Sequence, residues 1–482
     1  MKQLSYIGLL TVLLFVPGWS RAQQAADSTL IFFEEEFYTL VLRNHPLLKQ
    51  AQLLEEQGNA EVRGARGNFD PKIEASWNQK NFKDTEYYDI LNAKLKVPTW
   101  LPIDPSLTVD RNEGTYLNDE RFISEETDFW QLSTGISVPI GRGLFIDQRR
   151  AAVREAQYYR EQLQAEQIAM SNKLLLSAAK DYWEWYFAWH EWEQLGQSIQ
   201  ISREITDRTV ETWSLGEAAL IDTVQASITW QTRRIEYNEA AINLARASLQ
   251  LSVHLWDDTG KPLEIRAGVR PPAFKELQEP EAEPSLDSLR QFAGEKHPDL
   301  LKIIAKGEQL EVMRRLAGEN LKPTLNLNYY FIDTPFAPSG GKTNFAIDEN
   351  YKLGVDFSIP LFFRKERAKL QKSKLKILDN DYALSHARLK VDNTLQATFK
   401  EWETTNRLLT MQLQALTSYE ALLQAELLNL DLGESDLFKI NYQQDKLIQA
   451  RLKYLKLQSR LQKVRMQLRY DTGYPLLNLI AQ

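Results

Sequence analysis

The chain has 482 residues, 43% hydrophobic and 26% charged, with a formal net charge of -7 and no cysteine. That composition is globular rather than disordered, and the interleaving of acids and bases argues against a nucleic-acid partner. Without cysteine, no disulfide scaffold, thiolate metal site or N-terminal lipid anchor is expected.

Residues 1–22 read as a signal peptide: Lys2 supplies the positive start, Ile7 to Val16 the apolar core, Pro17-Gly18 the break and Ser20-Arg21-Ala22 the cleavage site. The apolar run is too short to span a bilayer as a helix. The mature chain is expected to begin near Gln23, outside the cytoplasm.

Glu34 to Arg43 has a helical pattern, and Asn44-His45-Pro46 interrupts it. Proline suits the first turn of a helix, so a second helix is predicted from Pro46 to about Arg66, ended by Gly67-Asn68. Next, Phe69, Pro71, Ile73, Ala75 and Trp77 alternate with Lys72, Glu74, Ser76, Asn78 and Lys80. A period of two over about ten residues is the length of a tilted membrane strand. Asp84 to Asp128 is polar and punctuated by proline, which suits an extracellular loop. Yet Leu91, Ala93, Leu95 and Val97 alternate with Asn92, Lys94 and Lys96, so an extra hairpin there stays open as an alternative. Trp130 to Ile140 alternates again, with Leu132, Ile136 and Val138 opposite Gln131, Ser133 and Ser137.

A long helical stretch runs from about Phe145 to Trp256, broken at Ser214-Leu215-Gly216-Glu217. Its first arm is nearly 70 residues without proline, or roughly 100 Å of rod at 1.5 Å per residue. Such a rod cannot be packed inside a small domain. Residues 271–290, rich in proline and glutamate, mark a linker between two structural repeats, 23–270 and 291–482.

The second repeat restates the first. His297-Pro298 follows His45-Pro46 by 297 − 45 = 252 residues, and Pro323 follows Pro71 by the same 252. Leu325, Leu327, Tyr329 and Phe331 alternate with Asn326, Asn328 and Tyr330; Leu353, Val355, Phe357, Ile359 and Leu361 alternate with Lys352, Asp356 and Ser358. A second broken helix runs from about Phe363 to Tyr470, interrupted at Asp431-Leu432-Gly433-Glu434. Asp471-Thr472-Gly473 answers Asp258-Thr259-Gly260. Landmarks of five kinds in one order identify a tandem duplication with a long period, unlike a short-repeat solenoid.

Each second arm carries a seven-residue seam: Ile221, Ile228, Ile235, Ile242 and Leu249, then Ile440, Leu447, Tyr454, Leu461 and Leu468. That period implies left-handed supercoiled helix packing. The strands are left with little sequence to form a core beneath them. An apolar outer face over a polar inner one is the pattern of an outer-membrane barrel, and Trp77, Trp130, Tyr329 and Tyr330 suit its interfaces. Expected lipid-facing positions are Ile73, Ala75, Trp77, Ile136, Val138, Leu325, Leu327, Tyr329, Val355, Phe357 and Ile359. Four strands cannot close a barrel, and an open sheet in lipid leaves backbone groups unpaired, so the chain is expected to oligomerise. A soluble periplasmic coiled-coil adaptor or scaffold, with a water-facing sheet, is the competing reading.

The duplicated helix with His-Pro, the strand pairs ending in Val138-Pro139 and Ile359-Pro360, and the Leu-Gly-Glu breaks resemble the TolC-like outer-membrane factor family. The resemblance spans the mature chain. It implies a mainly α fold with a membrane β-barrel portion: a homotrimer with four strands per protomer, twelve in all, continued by a periplasmic α-helical tunnel. It also implies an export duct for efflux or type I secretion in the outer membrane of a Gram-negative-type cell. Its partners would be outer-membrane lipid, a periplasmic adaptor (membrane fusion) protein and, indirectly, an inner-membrane transporter. Leu215, Gly216, Glu217, Leu432, Gly433 and Glu434 match the tips that contact the adaptor. Asp222 matches a gate aspartate; its counterpart, often acidic in the family, is Lys439 here, which argues against an acidic ring and leaves an Asp222–Lys439 contact as the candidate periplasmic gate.

No cofactor or metal is expected. The five histidines form no metal-ligand pattern, and no nucleophile elbow, phosphate loop or dinucleotide fingerprint occurs. The aromatic run Tyr182, Trp183, Trp185, Tyr186, Phe187, Trp189 and Trp192 reads as packing surface for the short helices and the C-terminal segment. Enzymatic activity is not indicated.

Overall fold

The computed structural model describes residues 30–266, 268–273, 285–333 and 349–477. The signal peptide expected over 1–22 lies outside them. The first repeat holds α1 (Glu34–Asn44), α2 (Pro46–Arg66), strands β1 (Lys72–Phe82), β2 (Thr85–Lys96), β3 (Asp104–Glu113) and β4 (Trp130–Pro139), then α3 (Gln148–Ser214) and α4 (Leu220–Ser252). The second holds α5 (Leu286–Lys296), α6 (Pro298–Glu319), β5 (Thr324–Asp333), β6 (Tyr351–Ser358), α7 (Arg364–Asp431) and α8 (Leu437–Asp471). Helix α5 starts at Leu286, inside the segment expected as linker.

The strands form one antiparallel sheet in chain order, β1-β2-β3-β4-β5-β6. Four strands were expected and six are present among the described residues. The 84–128 segment is therefore not a loop but mainly a hairpin, β2–β3, inserted between β1 and β4. Lys83 and Asp84, with φ of 54° and 61°, make the tight β1–β2 turn. Positive φ at both central residues matches the right-handed twist of the flanking strands.

Helices α3 and α7, of 67 and 68 residues, run away from the sheet, and α4 and α8 return along them. About midway along α3 its aromatic run forms the main core. Tyr182, Trp183, Trp185 and Tyr186 are buried with Phe37, Tyr38, Val41 and Leu476, as the packing reading expects. Tyr182 Oη donates to Phe32 O at 2.9 Å, and Trp183 Nε1 donates to Glu34 Oε1 at 3.1 Å. Asn172 fastens the end of the chain, donating to Tyr474 O at 2.9 Å and accepting from Leu476 N–H at 3.0 Å.

The two heptad seams fare differently. In α8, Ile440, Leu447, Tyr454, Leu461 and Leu468 are only 4–9% exposed. In α4, Ile221, Ile228, Ile235, Ile242 and Leu249 are 58–70% exposed. One seam is filled by the chain itself, and the other faces outward. No described helix is long and apolar enough to cross a membrane.

Candidate functional site

Two places carry the functional expectations: the sheet and the helix breaks. In an antiparallel sheet, paired residues share a face, so register assigns sides. Ile73 pairs with Leu95, Ala75 with Ala93, and Trp77 with Leu91. Leu91, Ala93 and Leu95 pair in turn with Arg111, Val109 and Leu107. The row continues through Leu132 opposite Val109 and Ile136 opposite Pro105. Ile136 and Val138 meet Tyr329 and Leu327, which meet Leu353 and Val355, while Leu325 meets Phe357. The expected lipid-facing positions within the strands thus share one face; Ile359 lies just beyond the end of β6.

The opposite face is polar. It carries Ser76, Asn92, Asp110 and Gln131 in one cross-strand row and Ser137, Asn328 and Gly354 in another. Amides and carboxylates pair across it: Asn92 Nδ2 donates to Asp110 Oδ1 at 2.5 Å, and Asn328 Nδ2 to Asp356 Oδ2 at 2.6 Å. Tyr330 lies on this face, against Gly135, where a Cβ would come within 2.2 Å of its ring. Lys94 Nζ reaches 6.0 Å from the Tyr330 ring centroid, bridging strands β2 and β5. Tyr330 is therefore not an outer interfacial aromatic as expected; strand parity turns it inward while its neighbour Tyr329 points out.

Both helix breaks are built alike. Gly216 N–H donates to Trp213 O at 2.9 Å and Glu217 N–H to Thr212 O at 3.0 Å; Gly433 N–H donates to Leu430 O at 3.0 Å and Glu434 N–H to Asn429 O at 2.8 Å. With φ of +83° at Gly216 and +75° at Gly433, each is a Schellman end to its helix. A Cβ on either glycine would meet nothing within 4 Å. Leu215 and Leu432 beside them are exposed, as are Leu220 and Phe438. The breaks thus present apolar side chains and bare backbone to solvent.

The candidate gate pair is not assembled as an ion pair. Asp222 Oδ2 accepts the Ala219 N–H at 3.1 Å, capping α4. Lys439 N–H donates to Asp436 Oδ1 at 2.8 Å, which caps α8. Among the described residues no salt bridge joins Asp222 to Lys439. A different link ties these helices: Arg233 of α4 is buried against Asp445 of α8 and Glu236. Sequence reasoning missed it, because a charged residue on a polar helix face carries no local mark of a distant partner. Among the described residues no cluster of three or more His, Asp or Glu side chains is placed to hold a metal ion.

With this geometry in view, residues 289–473 match the family model described as outer membrane efflux protein. No curated protein matches the sequence. The fold is similar to the Campylobacter jejuni CmeC outer membrane channel, with a TM-score of 0.62 at 14% identity over 91% of this chain and 86% of that one. It is also similar to the Vibrio cholerae outer membrane protein VceC (TM-score 0.60, 14% identity, 91% and 95% covered). The open state of the Neisseria gonorrhoeae MtrE outer membrane channel aligns with a TM-score of 0.59 at 14% identity, over 91% and 88%. At such identity the likeness is one of fold. The family match falls on the second repeat, and the first repeat restates its elements in the same order.

Proposed function

We propose that this chain is an outer-membrane export duct of the outer membrane efflux protein type. The observation that carries the reading is the sheet: one face is apolar across all six strands, the other polar, and long rods extend from one end of it. A water-facing sheet of an adaptor would have no use for an uncovered apolar face this wide. Lipid on that face and an aqueous lumen on the other satisfy both. Edge strands β1 and β6 each have one neighbour only, so copies must close the sheet edge to edge. The resemblance makes the assembly a homotrimer, with α3, α4, α7 and α8 of each copy walling a periplasmic tunnel. The exposed Leu215-Gly216-Glu217 and Leu432-Gly433-Glu434 breaks are the tips that meet a periplasmic adaptor, which connects the duct to an energised inner-membrane transporter. Asp222 and Lys439 act first as helix-end residues in this reading, and Arg233–Asp445 is the stronger candidate for holding the lower tunnel together.

The test places arginine on each face. Ile73→Arg and Leu327→Arg put a charge in lipid, at about 2–4 kcal/mol near the midplane, and should abolish recovery from the outer membrane. Ser76→Arg, on the inner face, should assemble normally. Equal tolerance of all three, with protein recovered in the soluble periplasm, would overturn the duct reading.

A further inference from the structure

Six strands where the resemblance implies four change the size of the pore. We infer that the β2–β3 hairpin is part of the membrane wall, so that three chains of six strands close an eighteen-stranded barrel. Such a barrel passes bulky hydrated cargo without acting as a size filter. This rests on the duct reading and on its trimer.

The inserted hairpin is built on the plan of the wall on either side. It is paired over its length, from Lys72↔Lys96 to Phe82↔Thr85 on the β1 side and from Asp104↔Ser137 to Arg111↔Trp130 on the β4 side. Leu91, Ala93, Leu95, Leu107 and Val109 extend the outer apolar face, with Arg111, opposite Leu91, as a charged position on it. Asn92, Lys94, Ser106, Thr108 and Asp110 extend the inner polar one. A loop lying on a barrel rim has no reason to alternate in phase with it. Pairing β1 directly with β4 would instead strand two amphipathic strands, with their backbone groups unpaired, in the lumen or the lipid.

The hairpin is also bolted to the wall's base. Asp104, the first residue of β3, accepts from Arg149 Nη1 of α3 at 3.0 Å and lies 3.7 Å from Lys96 Nζ. Trp100, in the β2–β3 turn, packs on Phe69 at 5.3 Å between ring centroids, and the Arg149 guanidinium lies 5.5 Å from the Phe69 ring centroid. The insertion therefore grips the junction where strands become rods.

Barrel diameter grows nearly in proportion to strand number. With strands about 4.8 Å apart and tilted about 40°, eighteen strands give a backbone diameter of about 36 Å, against about 24 Å for twelve. The inner face mixes Lys72, Lys94 and Lys352 with Glu74, Asp110 and Asp356, which selects for neither sign of charge.

The experiment is electron cryomicroscopy of the purified assembly in lipid nanodiscs, paired with disulfide trapping in this cysteine-free chain. Ala75→Cys with Ala93→Cys, and Leu107→Cys with Thr134→Cys, should each form a disulfide within one chain in the assembled protein. Ala75→Cys with Ile136→Cys should not. The barrel should measure about 36 Å across. A trimer about 24 Å across, or a β1–β4 disulfide in place of the β1–β2 one, would overturn the eighteen-stranded wall while leaving the duct standing. A twelve-stranded dimer would also overturn it. Recovery as a soluble protein would remove the duct reading itself.

Discussion

Gly216 and Gly433 show how much one residue type settles at a helix break. Each sits at positive φ with open space around it, so the requirement is backbone conformation alone, and a side chain there costs about 1 kcal/mol of strain. Gly473 differs. It too has positive φ, but a Cβ would fall 2.6 Å from Pro298 Cδ and 2.7 Å from His297 Cα, so it serves close packing against the start of α6. The first pair is free to meet a partner; the last is committed within the chain. The probe for docking follows from the same geometry. Cysteine belongs at Leu215 or Leu432, which are exposed and have ordinary helical backbone, not at the strained glycines. In cells whose export is intact, Leu215→Cys or Leu432→Cys carrying a maleimide-linked benzophenone should, on irradiation, crosslink to a periplasmic adaptor, identified by mass spectrometry. Failure of both to capture such a partner in export-competent cells would move the docking site elsewhere. The Leu-Gly-Glu breaks were legible in sequence because glycine after a long apolar-patterned run marks a helix end. Arg233 was not, since its partner Asp445 is 445 − 233 = 212 residues away.

Among the elements, the duplicated His-Pro starts join sequence to a testable property. His45 Nδ1 accepts the Leu47 N–H at 3.1 Å and His297 Nδ1 accepts the Asp299 N–H at 3.2 Å, so neutral imidazoles cap α2 and α6. Burial pushes the His45 pKa from 6.5 to about 4, helped by the nearby His254. His297 is lowered as well, again chiefly by burial. Unfolded imidazoles take up a proton near 6.5, whereas folded His45 resists until about 4. Its contribution is thus full above pH 6.5 and is lost as pH falls from 6.5 toward 4. Thermal unfolding midpoints should drop across that window. The drop should shrink in a His45→Asn, His297→Asn variant, because asparagine keeps a capping oxygen and does not titrate. An unchanged slope would assign the acid sensitivity to other groups. The His-Pro repeats were legible as turns from proline's place in a first helical turn, but not as caps, because capping depends on which way the ring points. The strands divide similarly. β1, β4, β5 and β6 could be read from strong alternation. The β3 pattern was hidden, since Pro105 and Arg111 dilute its apolar row and its polar inner face looks like loop composition.

At the scale of the whole molecule, the two heptad seams separate what the chain does alone from what it does in company. The α8 seam is buried within the chain; the α4 seam, with the same spacing and wholly aliphatic, is exposed along its length. Helix α7 also exposes Leu375, Tyr382, Leu389, Met411, Leu422 and Leu428. Burying a single Ile or Leu is worth about 1.5–3 kcal/mol, so a fivefold seam left in water would be a standing cost in a monomer. In the proposed assembly a second copy of this chain, brought alongside by sheet edges that must also be closed, covers it. Sequence could show that the α4 seam suits packing on a helix, but not whether that helix lies in the same chain, because a heptad is the same whichever chain fills it. The two seams should then fail differently. Leu461→Ala in α8 should destabilise each chain by about 2–5 kcal/mol and lower the yield of folded protein. Ile228→Glu with Ile235→Glu in α4 should leave helix content and the aromatic core intact but prevent the oligomer from forming. Circular dichroism and native mass measurement in detergent separate the two outcomes. Normal oligomers from the α4 variant would mean that its seam lines no contact between copies and that the tunnel wall is closed by other surfaces.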